Sequence, residues 1–295
     1  MAIDLVRYAD AAAFAAVALP LYAADPARHT ITLTMLDGLL RAGEPPALAI
    51  TLHEDDALVG AVVRREDRGI LVSGLPPRYA TTIAEALAGT ELPGVVGPVA
   101  EAEVFAAVWT ASVCHRFDQR LFALGTLTPP VGVPGAARPA APGDVDLLGA
   151  WRAAFTAETG VGQTGSAPSR AATVVVGAGE WVWEVDGVPV AQATARPVVA
   201  GMSRVGPVYT LPERRGHGYG AAVTAAASRW ALEVGADPHP LGHEDRRRAA
   251  RVRCRDHGAA PRRACGVEDR ERHAPGGCGH LPPPRQPPHP RHAAA

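Results

Sequence analysis

The sequence predicts an α/β protein of the α+β type: a mixed, largely antiparallel sheet flanked by helices, preceded by a second α/β module. Three observations support this prediction: alternating apolar runs with turn signals between them, helical apolar spacing beside those runs, and an abrupt change of composition after Asp237. We expect domains at 1–128 and 135–237, a linker over 129–143, and a disordered Arg/Pro/His-rich tail over 238–295.

The first module opens with IDLVRYADAAAFAAVALPLYAAD, which predicts a strand followed by a helix. Residues 47–75 alternate between apolar and polar, with turn signals at HEDDA and REDRG, and so predict strands. Helices are expected over 76–89 and 100–113, and a closing strand over 120–127. No chemical motif occurs in this module.

The second module begins after the Pro/Gly/Ala stretch TPPVGVPGAARPAAPGD (128–144). DVDLLGAWRAAFTAETG (144–160) predicts an amphipathic helix with Asp144 as its N-cap. Asp186-Gly187 is a strong turn dipeptide between alternating runs. The other expected elements are a loop over 161–172, a hairpin over 181–197, a strand over 203–213 and a helix from about Tyr219 to Val234.

A glycine-rich loop, Arg215-Gly216-His217-Gly218-Tyr219-Gly220, lies between the last expected strand and helix. Glycines allow positive φ and close approach of a ligand, and a helix N-terminus offers free amides and partial positive charge. Together these indicate an anion site, with a purely structural tight turn as the alternative. The spacing departs from G-x-G-x-x-G and lacks Gly-Lys-Ser/Thr, which disfavours a dinucleotide fold and excludes a P-loop.

A longer stretch around this loop, GPVYTLPERRGHGYGAAVTAAASRWALEVGAD, resembles motif A of the GNAT acyltransferase superfamily, whose signature is R/Q-x-x-G-x-G/A. ARPAAPGDVDLLGAWRAAF resembles the first strand and helix of that domain, and WVWEVDGVPVAQATA resembles its second and third strands. The resemblance covers about 135–237. It implies a GNAT-like fold and an N-acetyltransferase that uses acetyl-CoA, with no metal.

The resemblance also implies the site. The strand residues would bind the pantetheine arm through their backbone, as an added strand would, and the loop amides would hold the pyrophosphate. The implied cofactor-binding residues are Val208, Tyr209, Thr210, Arg215, Gly216, His217, Gly218, Tyr219, Gly220 and Ala221.

In this superfamily the acceptor amine attacks the thioester directly, so a base rather than a nucleophile is needed. Glu184 and Glu213 are the catalytic candidates, and His217 is less suited. Glu213 could equally be a solvated loop charge, and Glu184 an exposed cross-strand residue. Trp181, Trp183 and Trp230 are more typical of a core than of a substrate cage. The alternative function is an inactive CoA-binding or interaction protein on the same scaffold.

The N-terminal module is either a degenerate second copy of the GNAT fold or an unrelated α/β module. For the tail, a basic segment for anionic partners, a His/Cys metal segment and out-of-frame translation compete. Its composition favours the last: 238–295 holds 12 of the 29 Arg and no Phe, Trp, Tyr or Ile. The four cysteines have no C-x-x-C spacing, which argues against a zinc site or a disulfide framework.

The net charge and the longest apolar run of the chain bear on the partners that we expect. A formal net charge of -1 gives no reason to expect nucleic acid or an anionic membrane surface. The longest apolar run, over 11–24, contains Pro20 and is short of the ~20 residues that span a membrane. We expect a cytoplasmic protein whose partner is a small-molecule or protein amine, with the oligomeric state open.

Overall fold

The computed structural model describes residues 3–66, 68–109, 113–160, 179–237 and 248–254, which form two sheets with helices on both faces of each. The strands are β1 (Ile3–Arg7), β2 (Leu48–Glu54), β3 (Ala57–Arg64), β4 (Ile70–Gly74), β5 (Val95–Pro98), β6 (Val113–Arg120), β7 (Ala136–Pro139), β8 (Glu180–Val185), β9 (Val188–Ala195), β10 (Val205–Thr210) and β11 (Arg248–Cys254). The α-helices are α1 (Ala11–Ala23), α2 (Thr30–Ala42), α3 (Ala80–Ala86), α4 (Val99–Val108), α5 (Val145–Thr159) and α6 (Tyr219–Glu233).

The larger sheet has seven strands in the order β1-β2-β3-β4-β5-β11-β6. All its pairings are antiparallel except β4 with β5. Because side chains alternate along a strand, β2 supplies both faces. Ile50 packs in the cluster that includes α3 and α4, whereas Ala49 packs in the cluster that includes α1 and α2.

The smaller sheet is fully antiparallel, in the order β10-β9-β8-β7. Ala191, Ala193 and Ala195 of β9 pack against α6, where small side chains let the helix approach closely. Val182 and Tyr209 pack against α5 on the opposite face. Helices therefore cover both faces of the smaller sheet, so a ligand can reach its backbone groups only along an edge strand.

The predicted fold class is confirmed: mixed sheets, largely antiparallel, are flanked by helices, with a second α/β module first. The Asp186-Gly187 hairpin forms as expected, with φ of 51° and 74° at its two central residues. Asp144 precedes α5 as predicted but makes no cap bond to it, because its carboxylate accepts from the Ala141 amide and from Arg138.

Other sequence-based expectations were wrong. The closing strand was expected over 120–127, but the strand found is β6 (Val113–Arg120), earlier in the chain. It pairs with β11. The stretch that resembles the first GNAT strand does form one, β7, which pairs with β8 and overlaps the residues assigned to the linker. Two elements were missed, α2 and β5.

One part of the tail departs from the expected disorder. Arg248–Cys254 forms β11, which pairs with β5 on one side and β6 on the other. Backbone hydrogen bonds to both neighbours order this segment, and such bonds do not depend on the side-chain composition from which we expected disorder. Residues 238–247 and 255–295 lie outside the described residues, as does the loop expected over 161–172. In the described part of the chain, no helix is long and apolar enough to cross a bilayer.

Candidate functional site: an open strand edge and an uncapped helix

The candidate site begins at β10, the edge strand of the smaller sheet. Among the described strands, β10 pairs only with β9. The Leu211 amide donates to the Val190 carbonyl of β9 at 3.2 Å. Because backbone groups alternate between the two edges of an antiparallel strand, the amide and carbonyl of Tyr209 also face β9. The backbone groups of Val208 and Thr210 consequently face outward, where a strand-like ligand could pair with them.

The glycine loop follows β10 through a short 3-10 turn over Pro212–Arg214. Gly216 and Gly218 have φ of 84° and 83°, a left-handed conformation that favours glycine. A Cβ on Gly218 would also lie 3.0 Å from Cγ2 of Val133. Both the backbone conformation and the space at Gly218 therefore require glycine.

The N-terminus of α6 has unsatisfied amides. The Ala222 amide is the first to bond within the helix, to the Gly218 carbonyl at 3.0 Å. The amides of Tyr219, Gly220 and Ala221 precede it and have no intrahelical acceptor. No side chain caps the helix, and its first turn has no acidic residue. This end of α6 therefore presents donors and partial positive charge, which suit a phosphate group.

Gly220 brings α6 close to the open strand. A Cβ at this position would lie 3.1 Å from Oγ1 of Thr210. The uncapped amides and the outward backbone of β10 are thus adjacent parts of one surface. The predicted cofactor-binding residues 208–210 and 215–221 thus meet in space at Thr210 and Gly220, although residues 211–214 separate them in sequence.

The Arg215 side chain makes two hydrogen bonds within the protein. Its Nε donates to the Thr210 carbonyl at 3.0 Å, and its Nη2 donates to Oε2 of Glu158 at 2.7 Å. One outward carbonyl of β10 is therefore already paired, which leaves the Val208 groups and the Thr210 amide for a ligand. The ion pair with Glu158 is half-exposed and contributes little to stability.

Tyr209 and Glu158 complete this corner. The Tyr209 hydroxyl donates to Oε1 of Glu158 at 3.2 Å, while its ring is buried. Burial and the negative charge of Glu158 raise the pKa of Tyr209, so the phenol stays protonated at neutral pH. Sequence reasoning missed Glu158, because its position at the end of α5 carries no motif and only the tertiary contacts reveal it.

His217 and Tyr219 shape the loop. Nδ1 of His217 lies 2.9 Å from the Arg215 carbonyl, so this ring nitrogen must donate. The His217 ring stacks on Tyr219 with centroids 5.5 Å apart. Tyr219 is buried in the cluster beneath α6, so only its backbone amide is available to a ligand.

The two catalytic candidates occupy different surroundings. Glu184 lies on β8, two strands from β10, and its Oε1 accepts from Nε of Arg138 at 2.7 Å. Arg138 also bonds Asp144, so Glu184 belongs to an ion-pair network that joins β7, β8 and the start of α5. Glu213 is exposed in the 3-10 turn before the loop, and its negative charge acts on Tyr209. The described residues contain no group of side chains that could hold a metal ion.

A strand, a glycine loop and an uncapped helix in this order form a recognised class of anion-binding α/β site. Residues 158–251 match the model of the Acetyltransferase (GNAT) family. Within the chain, this segment is therefore similar to a GNAT acetyltransferase domain. The matched segment contains Glu158, the smaller sheet from β8 to β10, and α6, and it ends within β11.

Solved structures of GNAT proteins are similar to the chain. A GCN5-related N-acetyltransferase from Kribbella flavida is 18% identical, with 77% of this chain and 95% of that chain covered and a TM-score of 0.46. One from Sphaerobacter thermophilus is 15% identical, covers 84% and 95%, and has a TM-score of 0.47. A GNAT acetyltransferase from Colwellia psychrerythraea is 12% identical, covers 86% and 100%, and has a TM-score of 0.44. No curated protein matches the chain.

Proposed function

We propose that the protein is an acetyl-CoA-dependent N-acyltransferase that transfers an acetyl group to a primary amine of a small molecule or protein. The observation that supports this most is the continuity between the open edge of β10 and the uncapped N-terminus of α6. An elongated ligand with amides at one end and a diphosphate at the other matches that surface group by group. The family match supports transfer of an acyl group.

The residues fit the co-substrate at two places. The Val208 backbone and the Thr210 amide would pair with the amides of the pantetheine arm. The amides from Gly216 to Ala221 would hold the diphosphate, where no acidic residue in the first turn of α6 opposes it. Arg215 would act indirectly, by holding the Thr210 carbonyl and Glu158 in place.

When bound, acetyl-CoA supplies a thioester that a deprotonated amine attacks without a protein nucleophile. The chain must then orient the amine and accept its proton. Of the two candidate bases, Glu213 is better placed, because it lies beside the loop and is not engaged by an arginine in the described structure. Glu184 would first have to leave Arg138. Because acetyl-CoA is the donor, we keep the expectation of a cytoplasmic enzyme.

Calorimetric titration of the full chain with acetyl-CoA tests the donor, and thiol release with a panel of amines tests the reaction. Ala221→Glu places a negative charge at the exposed start of α6. It should weaken acetyl-CoA binding about tenfold through repulsion of the diphosphate, without destabilising the helix. Arg229→Gln, further along α6, changes the net charge equally and should bind as the wild type does. Unchanged affinity in Ala221→Glu would contradict the assignment.

One observation favours the alternative, an inactive CoA-binding or interaction protein. The next described strand after α6, β11, pairs in the larger sheet and not beside β10. The described residues therefore place no strand opposite the open edge to complete an acceptor cleft. Acetyl-CoA binding without thiol release for any amine would favour this alternative.

A further inference from the structure

A second cluster of polar groups is buried on the other face of the smaller sheet, toward α5. Side chains alternate along β9, so Gln192 and Thr194 point away from the alanines that contact α6. Thr194 donates through Oγ1 to Oε2 of Glu180 at 2.7 Å. Arg152 of α5 pairs with Glu180 and also bonds Thr194 at 3.2 Å. This face therefore carries a row of polar side chains where a core would normally be apolar.

Two further arginines extend the row. Arg196 follows β9 and Arg204 precedes β10, and the Arg196 amide donates to the Arg204 carbonyl at 3.0 Å. Each residue is partly exposed, but the Nε atom of each is fully buried and has no hydrogen-bond partner. Among the described residues, neither guanidinium forms an ion pair with a carboxylate.

Gln192, four residues before Arg196 and opposite Tyr209 of β10, has unpaired groups of its own on this face. Its side chain is 0% exposed, and neither Oε1 nor Nε2 has a hydrogen-bond partner among the described residues. Nε of Arg152 is also buried and unpaired. Buried polar groups are nearly always paired, so this concentration of unpaired donors on one face needs an explanation.

The charges in the cluster indicate that the missing partner is negatively charged. Burial lowers the pKa of Arg204 to about 10, and the positive charge of Arg196 adds to this effect. Burial lowers the pKa of Arg196 too, with a further contribution from Arg152, while Glu180 opposes it. Arg68, in the turn between β3 and β4, also acts on both. Three arginines, Arg152, Arg196 and Arg204, thus share one carboxylate, Glu180, and the Nε atoms of all three are buried. Buried positive charge without a counter-charge is costly, which favours an anion as the partner.

We infer that this cluster is an oxyanion-binding site, in which Arg196 and Arg204 hold a carboxylate or phosphate group. Planar guanidinium groups suit such oxygens because they donate two parallel hydrogen bonds. The site is distinct from the loop before α6. The six residues of β10 separate Arg204 from that end of the strand, which corresponds to about 20 Å. It does not depend on the proposed acyltransferase activity.

Thermal unfolding in increasing phosphate, against sodium chloride of equal ionic strength, tests the inference. Phosphate should raise the Tm of the wild type. Arg204→Gln and Arg196→Gln should each bind phosphate at least about tenfold more weakly, a loss of about 1.4 kcal/mol. Each should melt no lower than the wild type without phosphate, because the neutral amide removes a buried unpaired charge. Arg229→Gln, exposed on α6, should respond as the wild type does.

Two results would overturn the site. One is a phosphate response in both variants equal to that of the wild type. The other is a lower Tm in both variants when phosphate is absent, which would mean that the arginines already have structural partners. The two variants are scored separately, so the failure of one to fold leaves the other as the test. Phosphate binding alone, without acetyl-CoA, keeps this outcome separate from any failure of the proposed enzyme.

The anion has two conceivable sources, which a third measurement separates. If it is the acidic group of an acceptor, phosphate should compete with amines that carry a carboxylate, such as glutamate, and not with uncharged amines. If it is a free inorganic anion, phosphate should stabilise the protein without affecting any amine. The two Arg→Gln variants should abolish whichever effect is seen.

Discussion

The two modules follow the same order of elements but differ at one junction. In each, a strand is followed by a helix and later by three antiparallel strands, a 3-10 turn and another helix. Leu75-Pro76 follows β4, and Leu211-Pro212 follows β10. In the first module α3 starts directly after the 3-10 turn over Pro77–Tyr79. In the second, the loop from Arg215 to Gly218 intervenes.

The strand edges differ in the same way. β4 pairs in parallel with β5, so its outer edge is used by the sheet. β10 has no such neighbour among the described strands. Where the second module has Tyr209, bonded to Glu158, the first has Ser73, which is buried and bonded to His29 and Thr32. In the first module, β5 thus pairs with the strand edge that corresponds to the open edge of β10 in the second module.

This difference suggests that the two modules have different roles, with ligand binding confined to the second. We propose that the N-terminal module is a degenerate copy of the second, in which loss of the glycine loop removed the anion site and pairing with β5 closed the edge. The copy relation stays a prediction, since the shared order is what two copies would show and what similar packing could also produce. The following substitutions make the same kind of change once in each module.

The largest difference is expected at the buried ion pairs. Glu180 and Arg152 have side chains only 4% and 11% exposed, whereas Glu101 pairs with Arg28, which is 33% exposed. Glu180→Gln leaves Arg152 without its counter-charge beside Arg196 and should lower the free energy of unfolding by about 3–5 kcal/mol. Glu101→Gln should cost about 1–2 kcal/mol, because water reaches Arg28.

Urea unfolding followed by circular dichroism measures both losses. Glu101→Gln is the matched control, since it makes the same change in the other module. Equal losses in the two variants would show that burial does not distinguish the pairs. Phosphate should recover none of the loss in Glu101→Gln.

An intermediate effect is expected at glycines with positive φ. Gly218→Val and Gly89→Val each place a branched residue at φ near 80°, which should cost about 1–2 kcal/mol of stability. Only Gly218 lies in the loop, where Cβ would also meet Val133, whereas nothing lies within 4 Å of a Cβ at Gly89. Gly218→Val should therefore weaken acetyl-CoA binding by about 100-fold, and Gly89→Val should leave it unchanged.

Calorimetric titration gives both affinities, and the melting temperature gives the stability cost. A parallel loss of affinity in both variants would attribute the effect to general destabilisation. Retained affinity in Gly218→Val would remove the loop from the proposed site.

Local features of the site could be predicted from the sequence, because each depends on a few neighbouring residues. The Asp186-Gly187 turn, the glycine loop and the start of α6 all follow from backbone preferences. Helix α2 escaped prediction because three threonines and Gly38 lower its helix propensity, although Gly43 ends it in the left-handed conformation typical of a C-cap.

Long-range features could not be predicted. The motif places Arg215 near a phosphate, but the fold turns its side chain back to Thr210 and to Glu158 of α5. Arg196 and Arg204 look like loop charges in the sequence, and only the tertiary structure shows that their Nε atoms are buried. The pairing of β11 depends on strands more than a hundred residues away in sequence. Such contacts depend on the topology and leave no local pattern.

The smallest effect is expected at the aspartates that precede α5 and α1, and its pH dependence distinguishes them. Hydrogen bonds from Arg138 hold the pKa of Asp144 below its usual value of 3.8. A depressed pKa adds stability above the pKa of the unfolded chain, and this contribution is lost as pH falls through the folded value. Asp144→Asn should therefore cost about 1.5 kcal/mol at pH 7, and its stability curve should approach that of the wild type as pH falls below 3.8.

Asp10 is the matched position, but its carboxylate accepts from the Ala13 amide at 2.7 Å as a true N-cap. Asparagine caps helices as well as aspartate does, so Asp10→Asn should change stability by less than about 0.5 kcal/mol. Urea unfolding between pH 3 and pH 7 measures both curves. A pH-independent loss in Asp144→Asn would mean that its carboxylate stabilises α5 by shape and hydrogen bonding rather than by its charge.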